Sequence, residues 1–280
     1  MAHLGENRYG KSRVRVMKVV RHETYHAMKE WGVRVLLHGN FESCFTDGDN
    51  SSILPTDTMK NTVYWLARES NTTTLEEFAI ELVEYLLANN PQVTKASAEI
   101  EEKSWQQVLI DGAPHATTYQ MGGPELQTVE VVRERESALK ITSGIDGLVI
   151  LKTTKSAFTG YIKDKLTTLP ESTDRIFGTR ATVAWEYIHP PQSYDAARAS
   201  VLATLLKVFS GHDSLSVQHT LYDIGKAVVE AVPEIARIKL TMPNLHCLLV
   251  DLSRFGQDNP NQIFVPIDEP HGYIEAVIER

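Results

Sequence analysis

The sequence predicts an α+β chain of two similar halves, each an antiparallel sheet with paired helices on one face. Three observations carry that prediction. Strand-like and helix-like patterns follow the order strand–strand, helix–helix, strand–strand, and the order occurs twice, by pattern rather than by identity. In each half the second helix stops at a proline just ahead of a strand, in ANNPQVTKASAEIE and in EAVPEIARIKLTMP. The length of 280 residues is long for one domain and ordinary for two, with the boundary between 137 and 138.

In chain order, VRVMKVVRH (14–22) and VRVLLHGNF (33–41) are β-rich and read as strands joined by a connection of about ten residues. A helix opens at Thr56-Asp57, with Met59, Val63, Leu66 and Ala67 at helical spacing. TTTLEEFAIELVEYLLANN (72–90) is the strongest helix of this half. Thr74 and Glu77 fit a capping box, Phe78, Leu82, Tyr85 and Leu86 form the apolar stripe, and Pro91 stops it. Residues 93–112 and 126–136 read as two strands around a polar loop holding Gly122-Gly123-Pro124. In the second half, 138–154 reads as two strands separated by Ser-Gly-Ile-Asp-Gly, and 179–188 as a third. Helices follow over 193–211 and 214–232, then strands over 235–243 and 246–255, with NQIFVPI as a short edge strand. Open sheets of this kind have exposed edges, which assembly of several subunits into a closed barrel removes.

The composition is that of a soluble globular protein, 42% hydrophobic and 23% charged. The net charge of −8 argues against a nucleic-acid partner. No apolar run is long enough for a membrane span, and the N-terminal residues lack the apolar core of a secretory signal. Two cysteines, Cys44 and Cys247, make no disulfide framework. A cytoplasmic protein is expected, and because EAVIER is not a peroxisomal address, a bacterial one.

His22-Glu-Thr-Tyr-His26 matches the H-E-x-x-H zinc signature, but that chemistry needs both histidines on one face of a continuous helix, plus a third ligand. Here the motif lies between strand-like runs and reads as a solvated connection. The other histidines are scattered, and no Cys-x-x-Cys, dinucleotide fingerprint, phosphate loop or nucleophile elbow occurs. A dispersed polar set remains, and each member has an ordinary reading beside a functional one. Lys11 reads as a surface charge, Thr56 and Asp57 as helix caps, and Phe158 as core. Arg175 reads as a salt-bridged surface group, Gln218 as a helix-surface amide, and Asn244 and His246 as turn and strand residues.

Taken together, YGKSRVRVMKV (9–19), PTDTMKNTVY (55–64), SAFTGYIKDKLTTLPESTDRIFGT (156–179), SVQHTLYDIG (216–225), MPNLHCLLVDL (242–252) and FGQDNPNQIF (255–264) resemble the urate oxidase (uricase) family, in its order and almost end to end. The resemblance implies two tandem T-fold domains, 1–137 and 138–280. It implies a homotetramer whose stacked barrels enclose a tunnel, with active sites at subunit interfaces. It implies oxidation of urate by dioxygen and water to 5-hydroxyisourate and hydrogen peroxide, with no metal and no organic cofactor.

By the same resemblance Arg175 and Gln218 hold the purine, Phe158 stacks on its face, and Val217 lends backbone beside Gln218. The backbone N–H groups at Thr56 and Asp57 meet the other purine edge, where orphan donors and the helix dipole suit an anion. Asn244 with Thr56 holds dioxygen or water above the ring. Lys11, Thr56 and His246 form the proton relay, Lys11 and Thr56 coming from one subunit and Arg175, Gln218, Asn244 and His246 from its neighbour. Familiar relatives often carry Lys where this chain has Leu245, a position that alternates away from Asn244 and His246 in a strand. The rival readings are another T-fold enzyme acting on a pterin or purine, a zincin-like protease, and a purine-binding module without catalysis.

Overall fold

The computed structural model describes residues 2–280, the side chain of Asp268 excepted. The chain forms two compact units, Met1–Gly144 and Ile145–Arg280. In the first, β1 (Tyr9–Arg21), β2 (His26–Gly39), β3 (Val93–Ile110) and β4 (Ala113–Glu134) pair antiparallel in that order. Between β2 and β3 come a short helix α1 (Glu42–Thr46), then α2 (Thr56–Glu69), packed on β1, and α3 (Leu75–Asn89), packed on β3 and β4.

Local rules place the helices well. The four apolar residues read at helical spacing in α2 are its buried ones. Thr74 and Glu77 form the full capping box of α3. Its stripe differs at Tyr85, which is half-buried against Trp65 while Leu75, Ala79, Val83 and Leu87 join the core. On β2, Trp31, Val33, Val35 and Leu37 alternate inward, and Trp31 stacks on Phe78 at 4.8 Å.

The strands depart from the expected reading at three places. The β1–β2 connection spans only 22–25, closed by the His22 N–H donating to Tyr25 O at 2.9 Å. His22-Glu-Thr-Tyr-His26 is therefore a hairpin turn, not a helix, and its two histidines cannot share a helical face. The Gly122-Gly123-Pro124 stretch is not a loop: β4 runs through it, and the register jump from Lys103↔Leu126 to Trp105↔Met121 makes it a wide bulge. A proline that cannot donate to the ladder is tolerated there. The actual turn is Asp111-Gly112, both with positive φ, a hairpin pair overlooked because it closes a continuous β-like run.

The second unit begins within β5 (Lys140–Lys152), which is one strand and not two; Gly147, at φ 76, absorbs the irregularity. β6 (Phe177–Tyr187), α4 (Tyr194–Gly211), α5 (Val217–Ala231), β7 (Ile235–Thr241), β8 (Asn244–Leu249), a 3₁₀ turn (Ser253–Phe255), β9 (Phe264–Gly272) and β10 (Glu275–Glu279) follow. β10, unforeseen in the sequence, covers the far edge of β7. β6 pairs with β7 over Thr182–Tyr187 and then, beyond the break at Met242-Pro243, with β8 at Gly178 and Thr179. The helix pair shares a core of Phe177, Trp185, Val201, Leu205, Phe209, Leu221, Ile224 and Val228 with this sheet. Ser193 and Ser216 cap α4 and α5 with their side chains.

A polar cluster on the first sheet supplies a pH test. Lys103, the Trp105 indole at 2.9 Å and Arg15 converge on the buried Glu30 carboxylate, and the Lys103 and Trp105 bonds lead in holding its pKa near 2, against an ordinary 4.5. A depressed carboxylate contributes stability fully above its unfolded pKa and loses it as pH falls through the folded one. Glu30→Gln is therefore expected to cost about 2 kcal/mol at pH 7. Urea unfolding of both proteins should show that difference shrinking between pH 4.5 and about 2.

Candidate active site

Two groups of the expected residues form, one in each unit. In the first, Lys11 lies on β1 beside a β-bulge. Lys11 pairs with Val35 and Val14 with Val33, so Ser12 and Arg13 together oppose Arg34, and Arg13 takes φ 57. The consequence is a change of face. Three residues of regular strand would put Lys11 opposite to Val14. With one extra residue, Lys11 and Val14 stand opposite Val35 and Val33, both fully buried on the helix side. Lys11 is thereby directed, half-buried, to the face where α2 packs on β1. Gly10 permits the close pairing: a Cβ there would sit 1.8 Å from Val35 O.

Pro55 occupies the N-cap of α2, its carbonyl accepting from the Met59 N–H at 3.1 Å, and no side chain caps the helix. Thr56 and Asp57 are thus not caps. Asp57 instead binds Lys60 and, at 3.2 Å, Asn61. The bond from Lys60 holds its carboxyl below the usual range, and the Lys11 charge adds to this, which brings Lys11 within electrostatic reach of the helix start. First-turn N–H groups without a side-chain acceptor are available to an anion.

In the second unit, the segment between β5 and β6 is pinned to the start of α5. Ala157 N–H donates to Ser214 O at 2.7 Å, and Ser214 N–H to Lys155 O at 3.0 Å. Phe158 exchanges both backbone hydrogen bonds with Ser172. Asp174 accepts from the Thr154 hydroxyl at 2.7 Å and from the Ser156 N–H at 3.4 Å, which draws the neighbouring Arg175 back onto this segment. The Arg175 guanidinium lies 5.3 Å from the Phe158 ring centroid. Phe158 is not a bare ring, since Tyr161 stacks on it at 4.7 Å and 15°. Arg175 is half-buried, and burial alone pushes its pKa down, with no carboxylate among the described residues paired to it.

Ser214 and the Ser216 cap lead directly into α5. Val217 is buried there and Gln218 exposed. The Ser216 hydroxyl accepts from the His219 N–H, leaving the Val217 and Gln218 N–H groups at the helix end. Asn244 pairs with Thr179, four residues beyond Arg175, where β6 changes partner from β7 to β8. Asn244 and His246 are half-buried and two apart on β8, on either side of a register irregularity against β9, where Asn244 pairs with Gly272 and His246 with Ile267. Residues not anticipated in the sequence are the positioning ones: Gly10, the Ser12–Arg13 bulge, Asp174, Ser172 and Ser214. Only the irregular 153–176 stretch, dense in Ser, Thr and Asp, hinted at such bonding.

Each unit lays two helices on one face of an antiparallel sheet, the α+β architecture of a T-fold enzyme. Comparison with known proteins makes the class specific. A family model described as Uricase matches residues 7–132 and 141–275. A uricase of Arthrobacter globiformis is 42% identical over 277 residues, covering 99% of this chain and 90% of the relative. A uricase of Dictyostelium discoideum is 38% identical over 283 residues, covering 100% and 98%. The crystal structure of uricase from Arthrobacter globiformis superposes with a TM-score of 0.94 at 41% identity, over 100% of this chain and 96% of that chain. The urate oxidase of Bacillus sp. TB-90, 23% identical with a TM-score of 0.86 over 98% and 100%, shares the fold. The chain belongs to the uricase family.

Proposed function

We propose that this chain oxidises urate with dioxygen and water to 5-hydroxyisourate and hydrogen peroxide, with no metal or organic cofactor in the chemical step, in a homotetramer whose sites lie at subunit seams. The observation that carries the reading is Arg175. A half-buried guanidinium over an aromatic ring, its desolvation uncompensated by any carboxylate among the described residues, calls for a flat anion. Urate supplies that charge and a ring able to stack. Gln218 then offers an amide donor and acceptor to the oxopurine edge, and the uncapped first turn of α2 offers N–H groups at Thr56 and Asp57 to the opposite edge.

Dioxygen is a triplet and reacts slowly with closed-shell molecules, but an electron-rich urate anion can give it an electron directly. The polypeptide then has to hold the anion, seat dioxygen or water near Asn244 and Thr56, and move protons. Lys11 accepts the proton, Thr56 passes it and His246 completes the relay. Two carriers lie in the first unit and one in the second, and a seam between subunits, Lys11 and Thr56 from one and the remainder from its neighbour, completes the set. The domain division that goes with this is one T-fold per half, 1–137 and 138–280.

The test is peroxide release from urate by protein exhaustively treated with EDTA. Stoichiometric hydrogen peroxide is expected at an undiminished rate. Activity that disappears with EDTA and returns with zinc would refute the cofactor-free reading.

A further inference from the structure

The histidines do not all remain scattered once folded. His212 is the residue that ends α4, and His219 and Asp223 stand one turn apart on α5. His212 Nδ1 lies 3.1 Å from Asp223 Oδ2, and His219 Nε2 lies 3.7 Å from the same oxygen. One ligand atom from each of the three lies within 4.8 Å of the others, and the two imidazoles meet edge to face at 4.5 Å. The longer of the two carboxylate separations exceeds a hydrogen bond. Both are close to the edge of a tetrahedron about a zinc ion, which bonds of about 2.0–2.1 Å set at about 3.4 Å.

We propose that His212, His219 and Asp223 form a site for a late first-row divalent cation, zinc in the first place, with its fourth position open to water. Two imidazoles and one carboxylate are a borderline-soft set of the kind that zinc, nickel and copper prefer and that magnesium and calcium do not. The local charge is compatible. Lys152 donates to His212 O at 2.6 Å, and Asp213, within electrostatic reach of the same imidazole, opposes its charge. The outer ring nitrogens, His212 Nε2 and His219 Nδ1, are buried with no hydrogen-bond partner among the described residues. A thin outer shell implies a dissociation constant on the order of micromolar rather than the much tighter values of fully supported sites.

The ion's role is positional. It would join the end of α4 to the first turns of α5 and so fix the 212–216 connection. The Ser216 cap and the Ser214 bonds to the Phe158 segment are bonds between protein groups, so the ion adds stability to the connection and its removal leaves turnover unchanged. This is separate from the oxidation itself, and it is tested by binding rather than turnover.

The test titrates zinc into chelator-stripped, full-length protein by calorimetry, with thermal unfolding and the visible spectrum of the cobalt-substituted protein alongside. One saturable micromolar site per chain, a raised Tm and the intense bands of tetrahedral cobalt are expected. His219→Ala and Asp223→Asn should each weaken binding at least about tenfold and abolish the bands, while His189→Ala, at an exposed position, should not. Asp223→Asn keeps the side-chain shape, so loss of fold does not mimic loss of ligand. Absence of a saturable site below millimolar zinc, or equal binding by the His219→Ala protein, overturns the proposal. So does a site that moves with His22 and His26 in the hairpin.

Discussion

Lys11→Ala and Arg175→Ala are each expected to lower urate turnover by about 10²–10⁴-fold, and a refolded equimolar mixture of the two inactive proteins to recover about a quarter of the wild-type sites. The severity follows from what each group does. Lys11 is turned by the Ser12–Arg13 bulge to the face that carries α2, so an alanine there removes the amine set beside the start of that helix. Arg175 carries a half-desolvated charge with no carboxylate partner among the described residues, so in the proposed reading its loss removes the anion's counter-charge. The recovery follows from geometry. If a site takes Lys11 from one chain and Arg175 from its neighbour, it is whole when the first chain is the Arg175→Ala protein and the second the Lys11→Ala protein. Random pairing produces that arrangement about one time in four. Oxygen uptake by the refolded mixture, compared with each variant refolded alone, measures it. A mixture no more active than its components would mean that the site is completed within one chain.

How much of this was legible in the sequence depended on how far each determinant reaches along the chain. The Thr74/Glu77 box and the Met59–Val63–Leu66–Ala67 stripe are rules of three or four residues, and they hold in the fold. The motif resemblance named the candidate residues, but the direction of Lys11 lay outside any local rule. It depends on Val33 and Val35, more than twenty residues away on the paired strand. The same reach explains Gly122-Gly123-Pro124. Those residues signal a turn locally, yet pairing with β3 draws them into a bulge. Asp111-Gly112 was legible as a hairpin pair and was obscured by the unbroken β-like run around it. The His212–His219–Asp223 cluster carried half a signal, the four-residue spacing on α5; its third member arrives only when α4 packs on α5.

Gly10→Ala should be among the most damaging single-methyl changes in the first unit, costing about 2–3 kcal/mol and lowering turnover of the surviving folded protein by about 100-fold. The new Cβ would stand 1.8 Å from Val35 O, 2.8 Å from Val35 C and 2.9 Å from Leu36 Cα. All three are β2 backbone, so no side chain can swing aside, and the end of β1 has to lift from its partner. That end holds the Lys11↔Val35 pair and the bulge behind it. Displacing it by about 1 Å moves the Lys11 side chain relative to the α2 start, and misplacement on that scale costs about two orders of magnitude in a positioned proton transfer. Gly5→Ala is the matched control, since a Cβ there meets nothing within 4 Å. Urea unfolding should separate the two substitutions, and turnover corrected for folded fraction should separate stability from positioning. If Gly10→Ala unfolds more easily yet turns over urate normally per folded chain, the bulge is a structural feature of the hairpin and Lys11 has no part in moving the proton.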